Sequence, residues 1–223
     1  MSNQHVSTIT RLVMSACLAF AATSTLETAT AADPTLVKTR QGIVRGALED
    51  GVVVFKGVSY AAAPAGALRW QPPRRPATWD GVRDAAAFGL PCPTFDGSKM
   101  AQGRWLNRAG ADIFVDVPPA PGTSEDCLHL NVWAPADARR AAVMVWLQPL
   151  GSSSMPLFNG AAFARDGVIF VSLDVRAFSF VHPALTAEAG RKEPVCCLGT
   201  QDQIAALRWV MENIAAFGGD PVT

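Results

Sequence analysis

Ala142-Val143-Met144-Val145-Trp146-Leu147 and Val168-Ile169-Phe170-Val171-Ser172-Leu173 are two nearly unbroken apolar runs, and their reading decides the fold. A half-buried strand alternates apolar and polar residues. A run without alternation suits a strand covered on both faces, as in the parallel core of an α/β sheet. Downstream, Thr200 to Phe217 reads as an amphipathic helix. Thr200-Gln201-Asp202-Gln203 has the capping-box pattern, with Thr200 accepting from the Gln203 amide. Ile204, Leu207, Met211 and Ile214 then fall on one face at spacings of three and four. Gly218-Gly219 closes the helix, and Asp220-Pro221-Val222-Thr223 begins a further element, an ending that reads as mid-fold. Strands followed by a helix predict an α/β fold with an incomplete mixed sheet. The outermost strand of that sheet would present an apolar edge unless a neighbour covers it.

Working towards the N-terminus, Leu128-His129-Leu130-Asn131-Val132-Trp133 alternates, with His129 and Asn131 on one face. Residues 61 to 123 are rich in Pro, Gly and Ala with little periodicity, which predicts a long irregular loop region. Before it, Gly42-Ile43-Val44-Arg45-Gly46 and Val52-Val53-Val54-Phe55-Lys56-Gly57-Val58 read as short strands. Glu49-Asp50-Gly51 between them suggests a hairpin turn.

Residues 1–31 read as a secretory signal peptide, which would make 32–223 the folded domain. Arg11 precedes the apolar run Leu12 to Ala22, and Ala29-Thr30-Ala31 offers a small-x-small cleavage pattern. The run is too short to span a bilayer, so no integral membrane segment is expected. The alternative is a disordered start. Export would place the protein in the periplasm or outside the cell. Lys+Arg and Asp+Glu number 19 each, giving zero net charge, and no basic patch points to nucleic acid. Loss of the leader removes Cys17 and leaves Cys92, Cys127, Cys196 and Cys197, so disulfides become plausible in an oxidising compartment. Cys196-Cys197 reads as two small core residues or one exposed thiol. No cysteine or histidine stands at zinc-ligand spacing, and no cofactor or metal is implied.

Several separated blocks, in order, resemble the type-B carboxylesterase/cholinesterase family. They are Phe55-Lys56-Gly57-Val58-Ser59-Tyr60-Ala61, Leu68-Arg69-Trp70-Gln71-Pro72-Pro73 and Trp79-Asp80-Gly81-Val82-Arg83-Asp84-Ala85. Ser124-Glu125-Asp126-Cys127-Leu128-His129-Leu130-Asn131-Val132, His182-Pro183-Ala184-Leu185-Thr186-Ala187-Glu188 and the terminal helix complete the series. The resemblance implies the N-terminal part of an α/β-hydrolase fold. It also implies a first disulfide between Cys92 and Cys127, worth roughly 4 kcal/mol by chain entropy; two buried free thiols are the alternative. Two structural ion pairs carry over, Arg69 with Glu125 and Arg176 with Asp202.

Hydrolysis in this family needs a Gly-x-Ser-x-Gly elbow, a general-base histidine, an orienting carboxylate and N–H donors for the oxyanion. These 223 residues contain no Gly-x-Ser-x-Gly string. Gly57-Val58-Ser59-Tyr60-Ala61 comes nearest, but it follows a strand in a structural block. His129 and His182 both read as hydrogen-bonded structural histidines. No catalytic residue is therefore assigned, and the elbow, acid and base are expected in downstream sequence. The family's oxyanion turn is His-Gly-Gly-Gly, and here the text is Gln148-Pro149-Leu150-Gly151. The donors would fall on Leu150 and Gly151. Pro149 has no N–H and fixes φ, and Leu150 adds a side chain where glycine allows close approach. Losing one such donor costs ~100–1000-fold in rate; an ordinary surface turn is the alternative. Trp105 and Phe114, between Cys92 and Cys127, read either as entrance contacts or as local core.

The expected function is a serine-nucleophile hydrolase of small carboxylic esters by resemblance, inactive as this chain alone. The alternatives are an exported, non-catalytic binding module with an esterase-like surface and a defective fragment. Oligomeric state is not legible.

Overall fold

The computed structural model describes residues 33–93, 122–147, 153–154, 158–176, 182–188 and 197–222, without the side chains of 185 and 188. The chain divides into Met1–Ala32, outside the described residues, and Asp33–Thr223.

Ile169–Leu173 forms an inner strand of the larger sheet, here called β8, and all five of its residues are buried. Its neighbours are β6 (His129–Pro135), antiparallel, and β7 (Val143–Trp146), parallel. Beyond β6 lie β4 (Val52–Ser59) and β3 (Ala47–Glu49), so the order is β3-β4-β6-β8-β7. A smaller sheet holds β1 (Leu36–Lys38), β2 (Ile43–Arg45) and β5 (Val82–Asp84) in the order β1-β2-β5.

The turn at Asp50-Gly51 is a hairpin turn with φ of 48° and 81°, the left-handed pair that Asp-Gly tolerates. It joins β3 to β4. Residues 43–45 belong instead to the small sheet, because Gly46 separates them from β3 and Thr35 takes its N–H at 2.8 Å. Within β4 the register slips between Phe55 and Val58. Gly57 sits in that slip at φ +68°, and a Cβ there would stand 2.7 Å from the Ala87 carbonyl oxygen.

Helices cover both faces of the large sheet. On one side α1 (Ala161–Arg165) buries Ala164 with Val52, Val54, Trp133 and Phe170. Phe163 stacks on Phe170 with ring centres 5.0 Å apart. A six-residue helix, α2 (Pro183–Glu188), follows β8. On the other side α3 (Leu198–Asn213), continued by a 3₁₀ turn to Phe217, packs Ala206, Trp209, Val210 and Ile214 into the main core.

Three further expectations are corrected. The terminal helix starts at Leu198, not Thr200; its N-cap is Cys197 in the left-handed region, and no side chain caps it. Its predicted apolar stripe largely points outward: Ile204, Leu207 and Met211 are 44%, 37% and 66% exposed, and of the four only Ile214 is buried. The docking face is Leu198, Asp202, Ala206, Trp209 and Asn213, an equally regular stripe hidden by its polar and small members. Two polar anchors select it, because Asp202 binds Arg176 and Asn213 Oδ1 accepts the Arg40 amide at 2.8 Å. Finally, β7 is not covered on both faces. Met144 and Trp146, two residues apart on one face, are exposed, and β7 ends the order of described strands.

Candidate active site

In open α/β sheets, ligand chemistry gathers beyond the carboxyl ends of parallel strands. Here those are the ends of β7 and β8, where the chain passes to Asp174, Val175 and Arg176. Arg176 is buried and grips Asp202 twice, Nε to Oδ2 at 2.8 Å and Nη2 to Oδ1 at 2.6 Å. Its amide also donates to Oδ2 at 3.1 Å, and Nη1 reaches the Gln71 carbonyl at 2.8 Å. Gly199 lets the helix start approach this corner, since a Cβ there would lie 2.5 Å from the Arg176 carbonyl oxygen. Paired on every side, this guanidinium is an architectural bolt.

Arg69 meets Glu125 through two contacts, Nε to Oε1 at 2.5 Å and Nη2 to Oε2 at 2.6 Å. Both side chains are exposed, so the pair fixes geometry more than it adds stability. Beside it, Cys92 and Cys127 form a disulfide across a sequence separation of 35, with both residues buried. Cys197 is a half-buried thiol outside that bond. Cys196, Trp105, Phe114 and both oxyanion candidates, Leu150 and Gly151, lie outside the described residues.

The two described histidines lie at the starts of β6 and α2. His129 is buried at the start of β6, opposite Ser59 in the strand ladder. Its Nε2 is 3.6 Å from Asp126 Oδ1, and its Nδ1 is buried against Gly89 without a hydrogen-bond partner. Burial lowers its pKa, with the Asp126 charge opposing, so the neutral ring is favoured. His182 Nδ1 accepts the Ala184 amide at 3.2 Å at the entry of α2.

A second polar group escaped the sequence reading. Asn131, Ser153, Ser172 and Asp174 are all buried at the carboxyl end of β8. Asn131 Nδ2 donates to Ser153 Oγ at 2.8 Å and Ser172 Oγ at 3.1 Å, and its Oδ1 accepts the Gly57 amide at 2.9 Å. Ser153 donates its amide and hydroxyl to the two Asp174 carboxylate oxygens, at 2.7 and 2.6 Å. The Tyr60 hydroxyl donates to the Asp174 carbonyl at 2.6 Å, and burial raises that phenol's pKa. Burial likewise pushes Asp174 up to about 6, against the pull of both Ser153 hydrogen bonds. One signal did exist in the sequence: an acidic residue stands directly after a buried strand. Among the described residues, no group of three His, Cys, Asp or Glu side chains is placed to hold a metal ion.

The mixed sheet with helices on both faces is the N-terminal part of an α/β-hydrolase. A model of the Carboxylesterase family matches residues 33–223, and the chain belongs to that family. It is 39% identical over 194 residues to the para-nitrobenzyl esterase of Bacillus subtilis (strain 168), covering 83% of this chain and 36% of that protein. It is 37% identical over 199 residues to the fumonisin B1 esterase of Sphingopyxis macrogoltabida, covering 85% and 34%. Mouse (Mus musculus) cholinesterase is 34% identical over 204 residues, covering 83% and 31%. Among solved structures, a PNB esterase superposes with a TM-score of 0.68 at 37% identity, covering 84% of this chain and 36% of that one. A Geobacillus stearothermophilus carboxylesterase gives 0.65 at 38% identity, again covering 84% and 36%. The chain thus spans about a third of the length of these relatives.

Proposed function

We infer that this chain is the scaffold portion of a serine carboxylic-ester hydrolase and that these residues alone do not turn over an ester. In this reading a downstream strand brings the nucleophilic serine, and later segments bring the orienting carboxylate and the base. Leu150 and Gly151 supply the oxyanion donors. The substrate class is a small carboxylic ester.

One observation carries the reading: on the side of β7 that has no strand among the described residues, the chain just before β7 bears the first step of another parallel ladder. Ala141 donates its amide to the Gly218 carbonyl at 3.0 Å, and the Asp220 amide donates to the Ala141 carbonyl at 2.8 Å. The bridge is parallel, and Arg140 Nη2 holds the Asp220 carboxylate at 2.7 Å beside it. A further strand laid against β7 in this direction would share its carboxyl end with β7 and β8. A nucleophile at that end would stand above the sheet, where a strand-to-helix turn can expose it.

Export completes the proposal, with residues 1–31 as leader and 32–223 as the mature portion. Support comes from the Cys92–Cys127 disulfide, which suits an oxidising compartment. Among the described residues, no helix is long and apolar enough to cross a membrane.

The test is direct. Purified chain, assayed with a p-nitrophenyl acyl ester, is expected to match a blank. Turnover blocked by an organophosphate would overturn the inactivity. Extending the chain in frame through a Gly-x-Ser-x-Gly segment and the later acid and base is expected to give organophosphate-sensitive hydrolysis. An extended, folded protein without it would overturn the ester-hydrolase reading itself.

A further inference from the structure

Asp174 is a buried carboxylate at the carboxyl end of β8, to which the proposed chemistry gives no part. Ser153 addresses both of its oxygens: the N–H points to Oδ1 at 2.7 Å and the O–H to Oδ2 at 2.6 Å. The serine is fixed from behind by Asn131 Nδ2 at 2.8 Å. The aspartate main chain is fixed as well, its amide donating to the His129 carbonyl at 2.9 Å and its carbonyl accepting from Tyr60. The ionised acid accepts both donors as they stand. An ionised carboxylate accepts at both oxygens, whereas a neutral carboxyl must donate from one. A proton on Oδ1 would confront the Ser153 N–H. A proton on Oδ2 would turn the bond round, making Ser153 Oγ an acceptor and sending its own hydrogen elsewhere.

The surroundings oppose the charged form that the donors favour. Asp174 is buried, and burial alone disfavours a carboxylate. Among the described residues, the charged and ionisable groups facing this corner are the Tyr60 phenol just after β4, Asp202 from α3 and Arg176. Arg176, two residues along, is committed to Asp202 and the Gln71 carbonyl.

We propose that Asp174 and Ser153 form a proton-operated clamp: the ionised carboxylate grips Ser153 through its N–H and O–H together, and protonation removes the charge that the amide addresses and reverses the hydroxyl bond, so the grip weakens. The clamp joins Ser153 to the carboxyl end of β8, so protection of the Ser153 amide follows pH while the sheet does not. It stands independently of the ester-hydrolase reading, because it is read from the backbone and not from turnover.

The experiment is amide hydrogen exchange on the full chain at about pH 7.5 and about pH 4.5, corrected for intrinsic exchange rates. Protection at the Ser153 amide is expected to fall about tenfold or more on acidification, the weight of one hydrogen bond to a charged acceptor. Val171, inside β8, serves as the internal standard. In Asp174→Asn the ratio of Ser153 to Val171 protection should be the same at both pH values. An unchanged ratio in the wild type, or an equal loss in Asp174→Asn, overturns the clamp. Should Asp174→Asn not fold, the side-chain carboxyl carbon shift of Asp174 is titrated in wild type and Ser153→Ala. Removing the hydroxyl donor should raise the midpoint, and an identical midpoint overturns the proposal.

Discussion

β7 and β8 are parallel neighbours with almost the same apolar vocabulary, yet every residue of β8 is buried and β7 leaves Met144 and Trp146 exposed. The difference lies in their flanks. Among the described residues, β8 has β6 on one side and β7 on the other, whereas β7 has β8 on one side and, just before its start, a parallel bridge at Ala141–Gly219. Residue type makes both segments strands, but neighbours decide burial. Helix α3 repeats the lesson across its own width. Its Asp202–Trp209–Asn213 stripe is sealed against the sheet, and its Ile204–Leu207–Met211 stripe faces outward. Open apolar surface thus collects on the β7 edge and the outer side of α3, and the buried polar anchors collect on the inner side.

Breaking the sealed side should have the largest effect. Asp202→Ala strands the Arg176 guanidinium in the interior, and chemical denaturation of the full chain should show a loss of about 3–5 kcal/mol. A loss below about 1 kcal/mol would mean that Arg176 finds solvent or another partner on its own.

The strand comparison itself is tested by one truncation on each side. Leu173→Ala in β8 should cost about 2–5 kcal/mol, because the site is fully enclosed. Met144→Ala in β7 should cost about 0.5 kcal/mol or less in the same assay. Equal costs would show that β7 is covered in solution, as by a second copy.

Next comes the pH dependence set by Asp174. Its folded-state pKa of about 6 lies above the ordinary 3.8, so between these values the folded chain holds more protons than the unfolded one. This group's contribution to stability is therefore full below the unfolded value and lost as pH rises through about 6. The span of about two units corresponds to about 3 kcal/mol at most. Asp174→Asn should remove that slope and leave the protein more stable near neutrality. Stability that rises with pH in the wild type, and not in the variant, would reverse the sign and refute the assignment.

The smallest effect on stability should come from the open side. Trp146→Lys with Met211→Lys should alter unfolding free energy by about 0.5 kcal/mol or less. Self-association, followed by sedimentation velocity, should fall because charge on an exposed edge discourages strand pairing. Unchanged association would place the sticky surface elsewhere.

The class of the fold was legible because β8 and β4 are long apolar runs and Asp50-Gly51 is a strong turn signal. Orientation was less so. The outward stripe of α3 has the better hydrophobic periodicity, but helix placement was decided by Asp202 and Asn213, polar residues whose partners lie 26 and 173 positions away. A periodicity argument counts apolar side chains and is blind to such anchors. The start of α3 was missed for a similar reason. Cys197 enters the left-handed region without a side-chain cap, so Thr200 was the more conspicuous signal although it lies inside the helix. In the candidate site, Arg176 and Asp202 were found through resemblance, whereas Asp174, Ser153 and Asn131 were not. Their importance comes from burial and mutual hydrogen bonding across 21 and 22 positions, which spacing alone does not encode.

The disulfide has one more consequence. Because Cys92 and Cys127 are joined, a protease that cuts once anywhere between them changes the connectivity of the chain without releasing a piece. Nicked protein would run as one species on a non-reducing gel and as two after thiol treatment. The bond makes covalent integrity independent of peptide integrity over that stretch.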